Sequence, residues 1–262
     1  MSTRNKAVQW VARTVGPLTA SRRPEGLRVL LYHSVGAPVG PSIPAGLFRE
    51  HMSWLAKESG YEVVDLEQGA DRLSAGSLGP LVAVTFDDGF RDNLVTAAPI
   101  LQSLHIPFTV FVTAGHIERS GRERTVYLTP PELKELAGVE GATIGAHGYS
   151  HRPLTRLLNG ELEREMAGAK RYLEDVIGRR VATVSYPHGA VNDRVRQAAS
   201  SGGFRLGATS FVGLNRRDTP ALMMRRTEIL EADGLPEFEL KLRGGYDWYG
   251  VKQRLYWPVP SA

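Results

Sequence analysis

The sequence predicts an α/β fold in which about seven parallel strands, each followed by helical chain, close a single distorted (β/α) barrel. Three observations lead there. Short apolar runs alternate with helix-length amphipathic segments along most of the chain. The run from Leu81 to Phe86 is apolar on both faces, as a parallel strand covered on both sides should be. The residues with the most chemistry to offer follow the ends of such runs, at the carboxyl face where this architecture builds its sites. No linker, internal repeat or low-complexity tract interrupts the 262 residues.

Taken in order, residues 1–25 are expected to form a helical extension, because Ala7, Val8, Val11, Val15 and Leu18 fall near one helical face. That face would pack on the domain. Lys6 and Arg13 could also meet anionic headgroups, which leaves peripheral membrane contact open. Residues 26–243 are read as one catalytic domain. Its strands are expected at 29–33, 81–86, 108–113, 143–146, 181–186, 204–209 and 223–230, and its helices at 45–59, 93–103, 130–136, 160–177 and 192–201. Within 160–177, Leu162, Met166, Ala169, Leu173 and Ile177 recur at three or four residues, and Gly178 then ends the helix. Residues 244–262 form an aromatic-rich tail that includes Tyr246, Trp248, Tyr249, Tyr256 and Trp257.

Composition removes several functions. The chain has no cysteine, which excludes disulfides and thiolate metal sites. A net charge of +4, spread over short clusters such as Arg179-Arg180 and Arg216-Arg217, accompanies no nucleic-acid motif, so no nucleic-acid partner is expected. No apolar stretch approaches the roughly 20 residues needed to span a bilayer, and residues 8–15 are too polar for a signal peptide. The expected location is cytoplasmic or peripheral to the membrane.

The sharpest chemistry lies in Thr85-Phe86-Asp87-Asp88-Gly89 and in His147-Gly148-Tyr149-Ser150-His151. Asp88, His147 and His151 supply one oxygen and two nitrogen ligands, a set that suits one divalent ion such as zinc and leaves a position for water or substrate. Neighbouring strand residues point to opposite faces, so both aspartates reach one site only if the strand breaks there, and Gly89 permits the break. Asp87 is then free to act as a base. The bland readings are a surface turn for Asp-Asp-Gly and a pair of rim imidazoles for the histidines.

Tyr186-Pro187-His188-Gly189 ends another run, and its turn could aim the His188 backbone N–H into the cleft. His33 ends the first strand and could be a general acid, a substrate-binding rim histidine or a structural one. Arg226 could orient Asp87 through a bidentate ion pair, or belong to a solvated arginine pair with Arg225. His51 is expected on the polar side of its helix, and His105 and His116 in connecting segments without a catalytic role.

These motifs resemble those of the polysaccharide deacetylase family, the NodB-homology carbohydrate esterases, over residues 28–230. The Tyr32-His33 pair and Ser185-Tyr186-Pro187-His188-Gly189 are similar to the branch acting on poly-N-acetylglucosamine. The resemblance implies a NodB-type barrel, Asp87 as base, Asp88, His147 and His151 as ligands, and the His188 amide as oxyanion donor. The ion it implies is most often zinc, with cobalt or nickel as substitutes. Gly148 stands where the family often has Thr or Ser, Ser185 where it has an arginine, and no Leu-x-His occurs near 223–230. Arg226 would then replace the arginine brace, and His33 the missing histidine acid.

The activity this implies is removal of an N-acetyl group from an acetamido sugar in a glycan, by a metal-dependent deacetylase. Three other functions stay open: a deacylase of an intracellular or lipid-linked amino sugar, a non-catalytic glycan-binding protein, and a non-haem iron oxygenase built on the same ligand set. Oligomeric state is not legible.

Overall fold

Ten strands, in chain order, frame a computed structural model that describes residues 12, 14, 16, 23–37, 40–76, 79–120 and 126–256. They are β1 (Gly26–Tyr32), β2 (Ser34–Val35), β3 (Ser42–Ile43), β4 (Glu62–Val63), β5 (Pro80–Phe86), β6 (Phe108–Val112), β7 (Ala142–Ala146), β8 (Thr183–Ser185), β9 (Leu206–Ala208) and β10 (Thr227–Glu228). Nearly all of the expected N-terminal extension, including its apolar face and the basic residues proposed to meet headgroups, lies outside the described residues, as do residues 257–262. Among the described residues, no helix is long and apolar enough to cross a membrane.

The main sheet runs β10-β1-β5-β6-β7-β8-β9, all neighbours parallel. Strand order around the sheet is therefore chain order, and every carboxyl end meets at one face. The ring is joined where Thr209 N–H donates to Met224 O at 2.8 Å and Arg226 N–H donates to Phe211 O at 2.9 Å. The distortion has two visible sources. Short β4 pairs with β5 at Leu81 and Val82, on the edge that β6 takes from Val84 onward. The expected strand 223–230 contracts to β10, because Met224 and Arg226 are spent on closing the ring.

Strand alternation decides what fills the barrel. Leu27, Val29, Leu81, Ala83, Phe111, Leu206, Ala208 and Met224 form an inner apolar cluster, plugged by Leu66, Ala70 and Leu73 of the helix Leu66–Ser74. The alternate residues, among them Leu30, Tyr32, Val82, Val84 and Phe86, join the larger cluster under the outer helices. Counting inward from Leu81 and Ala83 brings Thr85 and then Asp87 to the top of the interior. Gly145 is needed for space there. A Cβ on it would stand 2.4 Å from Phe111 and 2.6 Å from Thr183 Oγ1.

The periodic segment 160–177 is helical as expected, with Leu162, Met166, Ala169, Leu173 and Ile177 all buried and Gly178 left-handed at φ 67°. It is not uniform: Arg164–Gly168 winds as a π-helical turn between Asn159–Glu163 and Ala169–Ile177. Two expectations are corrected elsewhere. His51 is not on the polar side of its helix; it is fully buried and stacks on Phe238 with ring centroids 4.2 Å apart. Burial pushes its pKa down to about 4. His116 is not in a connecting segment but inside the helix Ala114–Ser120. Part of the aromatic tail packs on the barrel: Asp247 of the helix Asp247–Tyr256 takes both terminal nitrogens of buried Arg28, at 2.6 and 3.0 Å.

Candidate active site

The polar residues stand directly above the inner apolar layer. The Arg226 guanidinium lies 5.6 Å over the Phe111 ring and is 1% exposed. Its Nη1 and Nη2 donate to Asp87 Oδ1 and Oδ2, each at 2.7 Å, and its Nε donates to Thr209 O at 2.8 Å. Nη2 also donates to Ser185 Oγ at 2.8 Å, and that hydroxyl donates to Asp87 Oδ2 at 3.1 Å. This is a fork-to-fork pair with no rotational freedom left. Burial alone would raise the Asp87 pKa, but Arg226 and then His147 outweigh it and hold the carboxyl well below the usual range. Arg226 is therefore the bidentate partner of Asp87 and not a solvated arginine.

The strand breaks one residue earlier than Gly89 alone would require. Asp88 itself is left-handed at φ 74°, followed by Gly89 at φ 78°. That turn brings Asp88 back over the site beside Asp87. Asp88 Oδ1 lies 3.1 Å from His151 Nε2 and 3.5 Å from His147 Nε2, and His147 Nε2 is 3.8 Å from Asp87 Oδ2.

His147 follows β7 on the inward side, and its Nδ1 lies 2.9 Å from Ser185 O. A carbonyl only accepts, so Nδ1 carries the proton and Nε2 presents its lone pair to the site. Burial lowers the His147 pKa against the pull of both aspartates, which favours that neutral form. His151 is shifted the other way, upward, by its contact with Asp88, with burial opposing.

Ligand atoms of Asp88, His147 and His151 all lie within 4.8 Å of one another. Asp88 Oδ1 is buried and has no directed hydrogen-bond partner among the described residues, despite two nearby ring nitrogens. A buried anionic oxygen in that condition is costly unless a cation completes it. One carboxylate oxygen and two imidazole nitrogens fit a divalent ion of the zinc class.

The remaining expected residues ring the same opening. His33 follows β1, half-buried, with its carbonyl accepting from Asn93 Nδ2 at 2.8 Å. His188 is exposed and left-handed at φ 58°; its ring packs 4.6 Å from His151, and its Nε2 lies 3.2 Å from His151 O. Three residues escape a reading of the sequence alone. Ser185 joins Asp87 to Arg226. His116 stacks on Tyr127 at 4.0 Å and stands 5.9 Å from the His151 ring, its pKa lowered to about 4 by burial. Glu165 reaches the loop between the two histidines from a neighbouring helix. Only His116 left a signal, since it follows the carboxyl end of β6.

Known proteins are similar to this chain in sequence and in fold. Residues 76–207, just over half of the chain, match the polysaccharide deacetylase family. YxkH of Bacillus subtilis (strain 168), provisionally named a polysaccharide deacetylase, is 28% identical over 211 residues, 80% of this chain and 73% of its own. The poly-β-1,6-N-acetyl-D-glucosamine N-deacetylase of Staphylococcus aureus is 25% identical over 134 residues, which are 48% of this chain and 46% of that protein. The structure of IcaB from Ammonifex degensii matches with a TM-score of 0.74 at 25% identity, over 84% of this chain and 98% of that one. The Streptococcus pyogenes deacetylase PplD, in complex with acetate, shares the fold with a TM-score of 0.75 at 24% identity, over 84% and 99% of the two chains. With its motifs at the carboxyl ends of a distorted NodB-type barrel and this match over half its length, the chain belongs to the polysaccharide deacetylase family, whose reaction is the hydrolytic deacetylation of acetylated glycans.

Proposed function

We propose that this protein is a metal-dependent hydrolase that removes the N-acetyl group from an acetamido sugar in a glycan, releasing acetate and a free amine. The observation that carries the reading is the convergence of Asp88, His147 and His151 within 4.8 Å, beside an Asp87 that Arg226 keeps ionised and oriented. Those three residues would hold the ion, with zinc the best suited and cobalt or nickel as substitutes. A bound divalent ion polarises the acetyl carbonyl and acidifies the attacking water, which matters because Arg226 makes Asp87 a weak base.

The other work falls to the chain. Asp87 accepts the proton of the attacking water, and its fixed orientation removes the search for a productive geometry. The His188 backbone N–H, on its left-handed turn, donates to the oxyanion that develops on the acetyl group. His33 donates a proton to the departing nitrogen, without which the amine is a poor leaving group. In this reading residues 26–243 form the catalytic unit, and the tail braces its β1–β10 wall. The name of the staphylococcal relative favours a poly-β-1,6-N-acetylglucosamine substrate.

The test is acetate release, followed by mass spectrometry of the glycan. Metal-stripped and zinc-reloaded protein should be compared on poly-β-1,6-N-acetylglucosamine fragments, chitooligosaccharides, peptidoglycan and lipid-linked acetamido sugars. Release that returns with zinc is expected, largest on the β-1,6 fragments. Zinc-loaded protein that binds an oligosaccharide but frees no acetate would make the chain a glycan-binding protein instead.

A further inference from the structure

We infer that Glu165 is a positioning residue for the metal centre: its carboxylate fixes the loop between His147 and His151 so that both imidazoles meet Asp88. The inference rests on the metal-centre reading above. The loop is gripped from two sides. From the β6 side, Thr113 Oγ1 donates to His147 O at 3.3 Å, Ala114 N–H to Gly148 O at 3.2 Å and Gly115 N–H to Tyr149 O at 2.8 Å. This side holds those three carbonyls and, through Val112 O, the His147 N–H at 2.8 Å. On the other side, Glu165 Oε2 accepts from the backbone N–H groups of Tyr149 and Ser150, each at 2.9 Å, and Oε1 accepts from Ser150 Oγ at 2.5 Å.

The loop needs such a clamp. Gly148 at φ 69° and His151 at φ 61° are both left-handed, and the second is a ligand held in a conformation that a histidine rarely adopts. Strained backbone of this kind persists only where its surroundings over-determine it. Hydrogen bonds to a carboxylate are stronger than neutral ones, and one carboxylate here engages two consecutive amides and a hydroxyl.

The helix is altered to deliver it. The π-helical turn at Arg164–Gly168 brings the adjacent residues Glu165 and Met166 both to the packed side, at 8% and 1% exposure. An ionisable side chain is thus buried where the periodic pattern alone called for apolar Met166. Glu165 does not reach the ion's ligand atoms itself; it acts through the loop.

The probe is Co²⁺, titrated into metal-stripped protein and followed by visible absorption and by competition with a chelator. Glu165→Ala should weaken Co²⁺ binding by roughly 10–100-fold and lower the absorption per bound ion, as loss of ligand-orienting contacts does. Glu165→Gln keeps an oxygen for both amides and should stay within about fivefold of the parent. Met166→Ala, which empties part of the same helix face, should lower the melting temperature of the metal-stripped protein without changing Co²⁺ affinity. If Glu165→Ala does not fold, Glu165→Asp, whose shorter side chain falls back from the loop, should fold and show the weakened binding. Parent-like affinity and spectrum in the Ala or Asp variant would overturn the inference, as would a Gln variant no better than the Ala one. A parent that binds no Co²⁺, or binds it equally after Asp88→Ala, would overturn the metal-centre reading itself, a distinct result.

Discussion

On the floor of the site, at the top of the barrel interior, Asp87 is 3% exposed and both its oxygens are taken by the Arg226 fork, with Ser185 bridging the pair. On the rim, His188 is exposed, His151 is partly so, and His33 is pinned by a backbone bond to Asn93. The floor is made of side chains that strand alternation turns inward, so its geometry follows from the barrel. The rim is made of residues just past strand ends, where Asp88, His151 and His188 are all left-handed. The difference is one of division: the floor fixes the ionisation and orientation of Asp87, while the rim has the solvent access that the proposed glycan substrate needs. Perturbing the floor, or the Asp88, His147 and His151 set, should abolish or cripple chemistry; perturbing the rest of the rim should depend on which substrate is offered.

The largest expected effects divide the two aspartates. Asp88→Ala or His147→Ala should remove metal occupancy, read by elemental analysis, and bring acetate release to the detection limit. Asp87→Asn should keep most of the metal yet lose roughly 10²–10⁴ in turnover, the span of a general base. Near-normal turnover in Asp87→Asn would take the base role away from the floor.

How much of this could be read from the chain depends on how local the cause is. The run Leu81 to Phe86 is apolar on both faces, and its ending in Asp-Asp-Gly announces both a covered strand and a break, although the left-handed residue proved to be Asp88 as well as Gly89. The histidine pair, four residues apart, is equally local. The partnership of Arg226 with Asp87 spans 139 residues, and it exists because the ring closes through Met224 and Arg226. Sequence could only offer it beside a solvated pair. Ser185 looked like a missing arginine; its hydroxyl in fact joins the two groups. Glu165 stayed hidden because a π-helical turn breaks the periodicity that would place it outside. His51 escapes the sequence for a related reason: a polar residue is expected to face water, whereas the helix Leu235–Leu242 covers it with Phe238.

Next in size is His33, the rim residue proposed as acid. His33→Ala should retain metal and slow release from an acetamido sugar by roughly 10²-fold or more, within the range of general acid help. An aryl acetate ester has a good leaving group and should lose far less. Equal losses on both substrates, with lower metal content, would make His33 structural and move the boundary between floor and rim.

Arg226→Lys probes the floor more gently. Lysine keeps the positive charge but lacks the planar fork that meets both Asp87 oxygens. A drop of roughly tenfold to a hundredfold in turnover is expected, of the size that a misplaced catalytic group produces, with metal content unchanged. Equal rates would mean that charge alone, not orientation, is what the floor provides.

The smallest effect is predicted for the most exposed histidine. The His188 backbone N–H is assigned the work, while its ring packs against His151 and bonds to His151 O. His188→Asn keeps a residue tolerant of the left-handed conformation at φ 58°, so the amide should keep its direction. Turnover should therefore stay within about fivefold, the loss of one ring contact and one hydrogen bond to His151 O. His188→Val, β-branched and strained at that φ, should fall further by displacing the amide. A hundredfold loss in the Asn variant would place the chemistry in the ring, and the rim would then hold a second proton-transfer group alongside His33.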